Sequence, residues 1–110
     1  MIVHVVMMKF KDGTTDNQIA EIEQGLDALP DRIHEIQSYE FGRDMARSER
    51  SYDFALVSVF ANLDTLKHYQ EHPEHLKVVT KIRAACADIR AVDYETDPLP
   101  APPPKDPLFE

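Results

Sequence analysis

Apolar residues alternate on both registers from Ile2 to Phe10. Ile2, Val6, Met8 and Phe10 share one face with His4, and Val3, Val5 and Met7 form the other. A strand that is apolar on both sides has to be covered twice, by helices on one face and by more helices or a second subunit on the other. After a turn at residues 12–15, Thr15 or Asp16 caps a helix in which Ile19, Ile22, Leu26 and Leu29 recur at helical spacing, and Pro30 with Asp31 is expected to stop it. Residues 36–41 read as a weaker strand closed by Gly42. Residues 52–60 read as a strong one, with Tyr52, Phe54, Leu56 and Phe60 on one face and Ala55, Val57 and Val59 on the other. Residues 89–94 form a short last strand.

Between the last two strands, residues 62–86 carry a helical pattern broken once, at Pro73. Asn62 caps the first segment, where Leu63, Leu66 and Tyr69 repeat at three-residue spacing, so Tyr69 points inward while His68 and Glu71 point away. Pro73 lacks an N–H and pushes His72 out of the helical region. One helix therefore ends near Glu71 and another opens with Pro73 in its first turn. His75, Val79, Ile82 and Cys86 then follow one apolar stripe, which places His75 inward as well.

The order strand, helix, strand, strand, helix, strand predicts an α+β, ferredoxin-like βαββαβ fold with a four-stranded antiparallel sheet. Its two central strands, the first and third, are the two that are apolar on both faces. Right-handed crossovers put both helical segments on one side of the sheet. The other side, carrying Val3, Val5, Met7, Ala55, Val57 and Val59, would be a larger apolar patch than monomers expose, so a homodimer packed sheet to sheet is expected. Residues 97–110 hold six of the eight prolines and read as an extended tail beyond a domain of residues 1–96.

Composition narrows the function. The net charge of −8 and the lack of a Lys/Arg run argue against nucleic acid and anionic membranes as partners. A single cysteine gives no disulfide framework, and the N-terminus lacks a signal-peptide pattern, so a cytoplasmic location is expected. With three glycines there is no phosphate-binding loop, dinucleotide fingerprint or nucleophile elbow. No cofactor is expected. His72 and His75, with Glu71 and Glu74 beside them, lack a third ligand fixed by spacing, so no metal site is expected either. Cys86 reads as inert core, and Arg43, Arg47 and Arg50 as a loop balanced by Asp44 and Glu49.

Four stretches, HVVMMKFK from His4, Gly42, YDFALVSVF from Tyr52, and YQEHPEH from Tyr69 with VDYE from Val92, resemble the stress-responsive A/B barrel (Dabb) family across residues 1 to about 95. The resemblance implies a dimer whose two sheets close into an α+β barrel. It implies no single activity: members range from stress-associated stable oligomers to a plant polyketide cyclase. That cyclase is similar in using a tyrosine and a histidine from this string, which correspond to Tyr69 and His75, and a pocket histidine on the first strand, which corresponds to His4. Ile22 and Leu26 stand where the cyclase has aromatic pocket residues.

His75, Tyr69 and His4 are accordingly the candidate catalytic residues, with Val6, Met8, Ile22, Leu26, Leu56, His72 and Val79 lining a pocket between sheet and helices for a small aromatic or polyketide-like ligand. An imidazole would remove a proton from carbon between two carbonyls while the tyrosine hydroxyl holds the enolate oxygen, a lyase-type cyclisation without cofactor. A packed core in a stress-associated structural dimer is the alternative, with Tyr69 and His75 satisfied by each other or by backbone. A cofactor-free oxygenase is a third reading.

Overall fold

The computed structural model describes residues 1–98; the rest of the proline-rich tail lies outside them. The elements are β1 (Ile2–Phe10), α1 (Asp16–Arg32), β2 (Ser38–Arg43), β3 (Phe54–Phe60), α2 (Leu63–Glu71), α3 (Pro73–Ala85) and β4 (Cys86–Glu95). The strands form one sheet in the order β2-β3-β1-β4, with every neighbouring pair antiparallel. This is the ferredoxin-like α+β fold, and its two central strands are the doubly apolar ones.

Local chemistry sets most boundaries. Gly13 makes the turn after β1 at a positive φ of 85°, where a Cβ would be strained. Thr15 caps α1 in a reciprocal capping box with Gln18, and Asn62 caps α2 with Thr65 in the same way. Pro30 does not stop α1, contrary to the sequence expectation. It falls in the last turn, where its missing N–H removes only one bond, and the helix runs on to Arg32 with the Ile33 N–H bonded to the Leu29 carbonyl.

The strands also shift from their expected limits. Gly42 lies inside β2 rather than closing it, because the ladder pairs Gly42 with Ala55 and Arg43 with Phe54. β4 begins at Cys86, since pairing of Cys86 with Phe10 takes over directly where α3 ends. Cys86 is thus a strand residue and not part of the α3 stripe, although it is buried as expected.

Ile2, Val6 and Met8 of β1 and Phe54, Leu56 and Phe60 of β3 pack against Ile22, Leu26 and Leu29 of α1, Leu66 and Tyr69 of α2, and Val78, Ile82 and Ala85 of α3. Gly25 lets α1 and α3 approach: a Cβ there would come within 3.0 Å of a Val78 methyl. The stripe on α3 runs through Val78 rather than Val79, which is only half-buried. The opposite face of the sheet is open and apolar, with Met7, Val57, Val92 and Tyr94 at 43, 37, 57 and 50 % exposure. Among the described residues no helix is long and apolar enough to cross a membrane.

Candidate functional site

The string Tyr69–His75 is built around a helix break in which each polar residue has its own task. His72 adopts an extended backbone between α2 and α3, and its Nδ1 accepts from the Glu74 N–H, so it is the N-cap of α3. Tyr69 lies in the last turn of α2 and His75 in the first turn of α3, and the break turns their rings together with centroids 4.3 Å apart. His75 Nδ1 lies 3.0 Å from the Gln70 carbonyl. A carbonyl can only accept, so that nitrogen carries the hydrogen. Burial lowers the His75 pKa below its ordinary value, which favours the neutral ring with its lone pair on Nε2.

His4 reaches the same place from β1. It is buried, its ring lies edge-on to Tyr69 at 6.3 Å, and its Nδ1 donates to the Asp93 carboxylate on β4. Strand register explains that contact, because His4 pairs with Asp93 on one side and with Ser58 on the other, and Ser58 in turn pairs with Tyr39. Tyr39, Ser58, His4 and Asp93 therefore form one polar row across all four strands, on the face turned to the helices. Ser58 is wholly buried, and its hydroxyl lies 3.4 Å from the His4 carbonyl oxygen.

Tyr69 closes the cluster. It has no solvent exposure, packs against Phe60 at 4.8 Å, and holds its hydroxyl 2.7 Å from that of Tyr39. Burial pushes the Tyr69 phenol up to about 12, and pushes Tyr39 well above the ordinary phenol range. Both are neutral hydrogen-bond donors throughout the physiological range.

The three expected catalytic side chains are thus brought together. Of the expected lining residues, Val6, Met8, Ile22, Leu26 and Leu56 are buried in the core cluster, Val79 is half-buried beside the stripe, and His72 is occupied in capping. Tyr39, Ser58 and Asp93 were not picked out from sequence. The one local signal was Ser58, a polar residue between Leu56 and Phe60 on an otherwise apolar face. A surface depression of about 600 Å³ lies away from this cluster. It opens on the other side of the sheet, over Met7, Ala55 and Val57, with Arg50 and Tyr52 on its rim.

The loop arginines follow the sequence expectation only in part. Arg43 bonds Asp16 and Glu23 of α1 rather than its loop neighbours, while Arg47 pairs with Asp44 and Asp53. Asp53 also accepts from the Phe10 backbone N–H, the main reason its carboxyl titrates below the usual range. Burial raises the Cys86 thiol, consistent with an inert core residue.

A four-stranded antiparallel sheet with helices on one face and a His–Tyr cluster between them defines a ferredoxin-like α+β barrel protein. Residues 2–96 match the stress responsive A/B barrel domain, Dabb, and the chain belongs to that family. It is 24% identical over 96 residues to stress-response A/B barrel domain-containing protein HS1 of Arabidopsis thaliana, covering 86% of this chain and 88% of that protein. It is likewise 24% identical to olivetolic acid cyclase of Cannabis sativa, covering 84% of this chain and 94% of the cyclase. A crystal structure of a dimeric ferredoxin-like protein of unknown function from Thermobifida fusca superposes with a TM-score of 0.80 at 32% identity, covering 86% of this chain and 90% of that one.

Proposed function

We propose that this domain is a homodimer whose subunits each hold a small-molecule site between sheet and helices, and that His75, Tyr69 and His4 carry out proton transfer there at a carbon beside a carbonyl. What carries the reading is the convergence of the three side chains with both histidine Nδ1 atoms already engaged, one by the Gln70 carbonyl and one by the Asp93 carboxylate. In neutral His75 this leaves Nε2 as the base. Tyr69, neutral and held in place, donates to the oxygen on which negative charge develops, and His4, oriented by Asp93, stands beside it. The likeness to olivetolic acid cyclase adds support for a cyclase-type lyase acting on a polyketide-like or aromatic carbonyl compound.

The homodimer is supported by the open apolar face and by a similar structure described as dimeric. Val3, Val5, Met7, Ala55, Val57 and Val59 are its proposed interface. A cytoplasmic setting belongs to the same reading, with the lone cysteine kept as a buried thiol.

Hydrogen–deuterium exchange tests the chemistry while the substrate is still unidentified. The protein is incubated in D₂O with a panel of 1,3-dicarbonyl and aromatic ketones, and label at the carbon between or beside the carbonyls is followed by NMR. His75→Ala is expected to lose roughly 100-fold or more of the catalysed exchange, the typical share of a positioned base. Exchange equal in wild type and variant, for every compound, sinks the reading. In that case the complete burial of Tyr69 and the engagement of its hydroxyl by Tyr39 favour the second reading, a structural stress-associated dimer in which His75→Ala lowers stability alone.

A further inference from the structure

The open face of the sheet is apolar in its middle and charged at its two edge strands. Ladder register sets the charges out. Glu40 of β2 stands in the row Glu40, Val57, Val5, Val92, and Arg90 of β4 stands in the next row, Gly42, Ala55, Met7, Arg90. β2 and β4 are three strand spacings apart, roughly 14 Å, so these two charges do not meet within one subunit. Among the described residues Glu40 has no ion pair. Arg50 shares the rim of the depression with Glu40 but does not bond it. At the other edge Asp88 holds Arg90 through Nε alone and is fixed in turn by the Tyr52 hydroxyl, which leaves the terminal nitrogens of Arg90 for another carboxylate. With Lys9 opposite Asp88 in the ladder, this edge has two cations to one carboxylate.

The depression of about 600 Å³ lies beside Glu40 because the adjacent row begins with two small residues, Gly42 and Ala55. A Cβ on Gly42 would meet nothing within 4 Å. Packing two open faces together would set Glu40 over apolar neighbours, where an unpaired carboxylate is costly, and would leave a hole over Gly42 unless the partner fills it.

We propose that the depression receives Arg90 of the partner subunit, which pairs there with Glu40, and that this contact, made twice about the dimer axis, fixes how the two sheets are set on each other. The proposal rests on the homodimer reading and adds the contact that orients the partner. In an isologous dimer every contact is reciprocated across a two-fold axis. An axis running along the strands lays β2 of each subunit over β4 of the other and brings the partner's Arg90 onto the row of Gly42 and Ala55, one row from Glu40. An axis running across the strands lays β2 on β2, and sets Glu40 and Arg90 each against its own copy. The charges therefore favour the first arrangement and oppose the second. The side chain suits the hole as well: an arginine stem lies on an apolar floor while its planar fork meets a carboxylate on the wall.

Sedimentation equilibrium of the full chain measures the dimer dissociation constant for Glu40→Lys, for Arg90→Glu and for the two combined. Each single exchange sets like charges together at both copies of the contact and is expected to weaken the dimer roughly 100-fold. The double exchange rebuilds the pair with its polarity reversed and should return the constant to within about tenfold of wild type. Gly42→Val fills the hole without touching its own subunit and should weaken the dimer too. Glu40, Gly42 and Arg90 are exposed in the subunit, so far-UV circular dichroism should show every variant folded. A dimer that the single exchanges leave unchanged, one that Gly42→Val leaves unchanged, or a double exchange no better than the singles overturns the proposal and leaves the homodimer standing. A wild-type chain that stays monomeric sinks the homodimer reading and this contact with it.

Discussion

Alkaline pH should unfold this protein through Tyr69 in particular. Its phenol titrates near 12 in the fold against an ordinary value of 10.0, because burial disfavours the anion. Below pH 10 neither the folded nor the unfolded chain ionises this group, and its stabilisation is fully present. Between 10 and 12 the unfolded chain gives up the proton while the folded chain keeps it, so stability falls by about 1.4 kcal/mol per pH unit. Across that window the loss is roughly 2.7 kcal/mol, a large part of the 5–15 kcal/mol typical of a small domain. Tyr39, shifted in the same direction, adds to it.

Tyr69→Phe removes this group, and with it the part of the Tyr39 shift that Tyr69 causes. The ring contacts with Phe60 and His75 stay, and only the hydroxyl bond to Tyr39 goes, a cost of about 1 kcal/mol at neutral pH. The variant starts below wild type at pH 7 but loses less above pH 10, so the two stability curves should cross near pH 11. Urea unfolding followed by far-UV circular dichroism, at one protein concentration because a dimer is expected, measures both curves. Curves that run parallel from pH 9 to 12 would refute the assignment of the shift to a buried Tyr69.

The remaining predictions concern the helix break, the open face and His75. His72→Ala removes the acceptor that caps α3 and should cost about 1 kcal/mol in urea unfolding, while His72→Asp, which keeps an acceptor, should recover most of it; equal losses in both would show that the cap does not matter. Val57→Glu places a charge in the middle of the open face and should convert dimer to monomer by sedimentation velocity, whereas an unchanged dimer would move the interface elsewhere. The His75 ring should titrate below its ordinary 6.5 by NMR, because burial lowers its pKa. Its contribution to stability is then fully present above pH 6.5 and is lost as pH falls through the folded value. A midpoint at or above 6.5 contradicts the burial account.

The fold was legible because its signals were local or periodic. Double apolar alternation marked β1 and β3 as central, and Pro73 with its preceding histidine marked the junction that aims Tyr69 and His75 at each other. The errors came where two rules competed. Pro30 looked like a helix stop, yet in a last turn it removes too little to end one. The α3 stripe was placed on Val79 because i+3 and i+4 both suit a helical face, and the phase was settled by the close approach of Gly25 to Val78. Tyr39, Ser58 and Asp93 escaped because each lies on a different strand. Alternation tells which face a residue occupies, but not which residue stands opposite it across a ladder.

The polar row has a consequence for how the sheet assembles. Its strands are so uniformly apolar on the helix-facing side that a slip of two residues between β1 and β3 would keep alternation intact and exchange one aliphatic contact for another. Such a slip would also carry His4 away from Ser58, setting His4 against Leu56 or Phe60 and the buried Ser58 hydroxyl against Ile2 or Val6. Each stranded group costs on the order of 1–3 kcal/mol, so the misaligned sheets are penalised where hydrophobic contacts alone would scarcely distinguish them. His4, proposed above to stand beside the reacting carbon, thus also acts with Ser58 as the alignment key of the sheet, and replacing Ser58 and His4 by valine would be expected to yield a core that is no less apolar but has more than one way to zip.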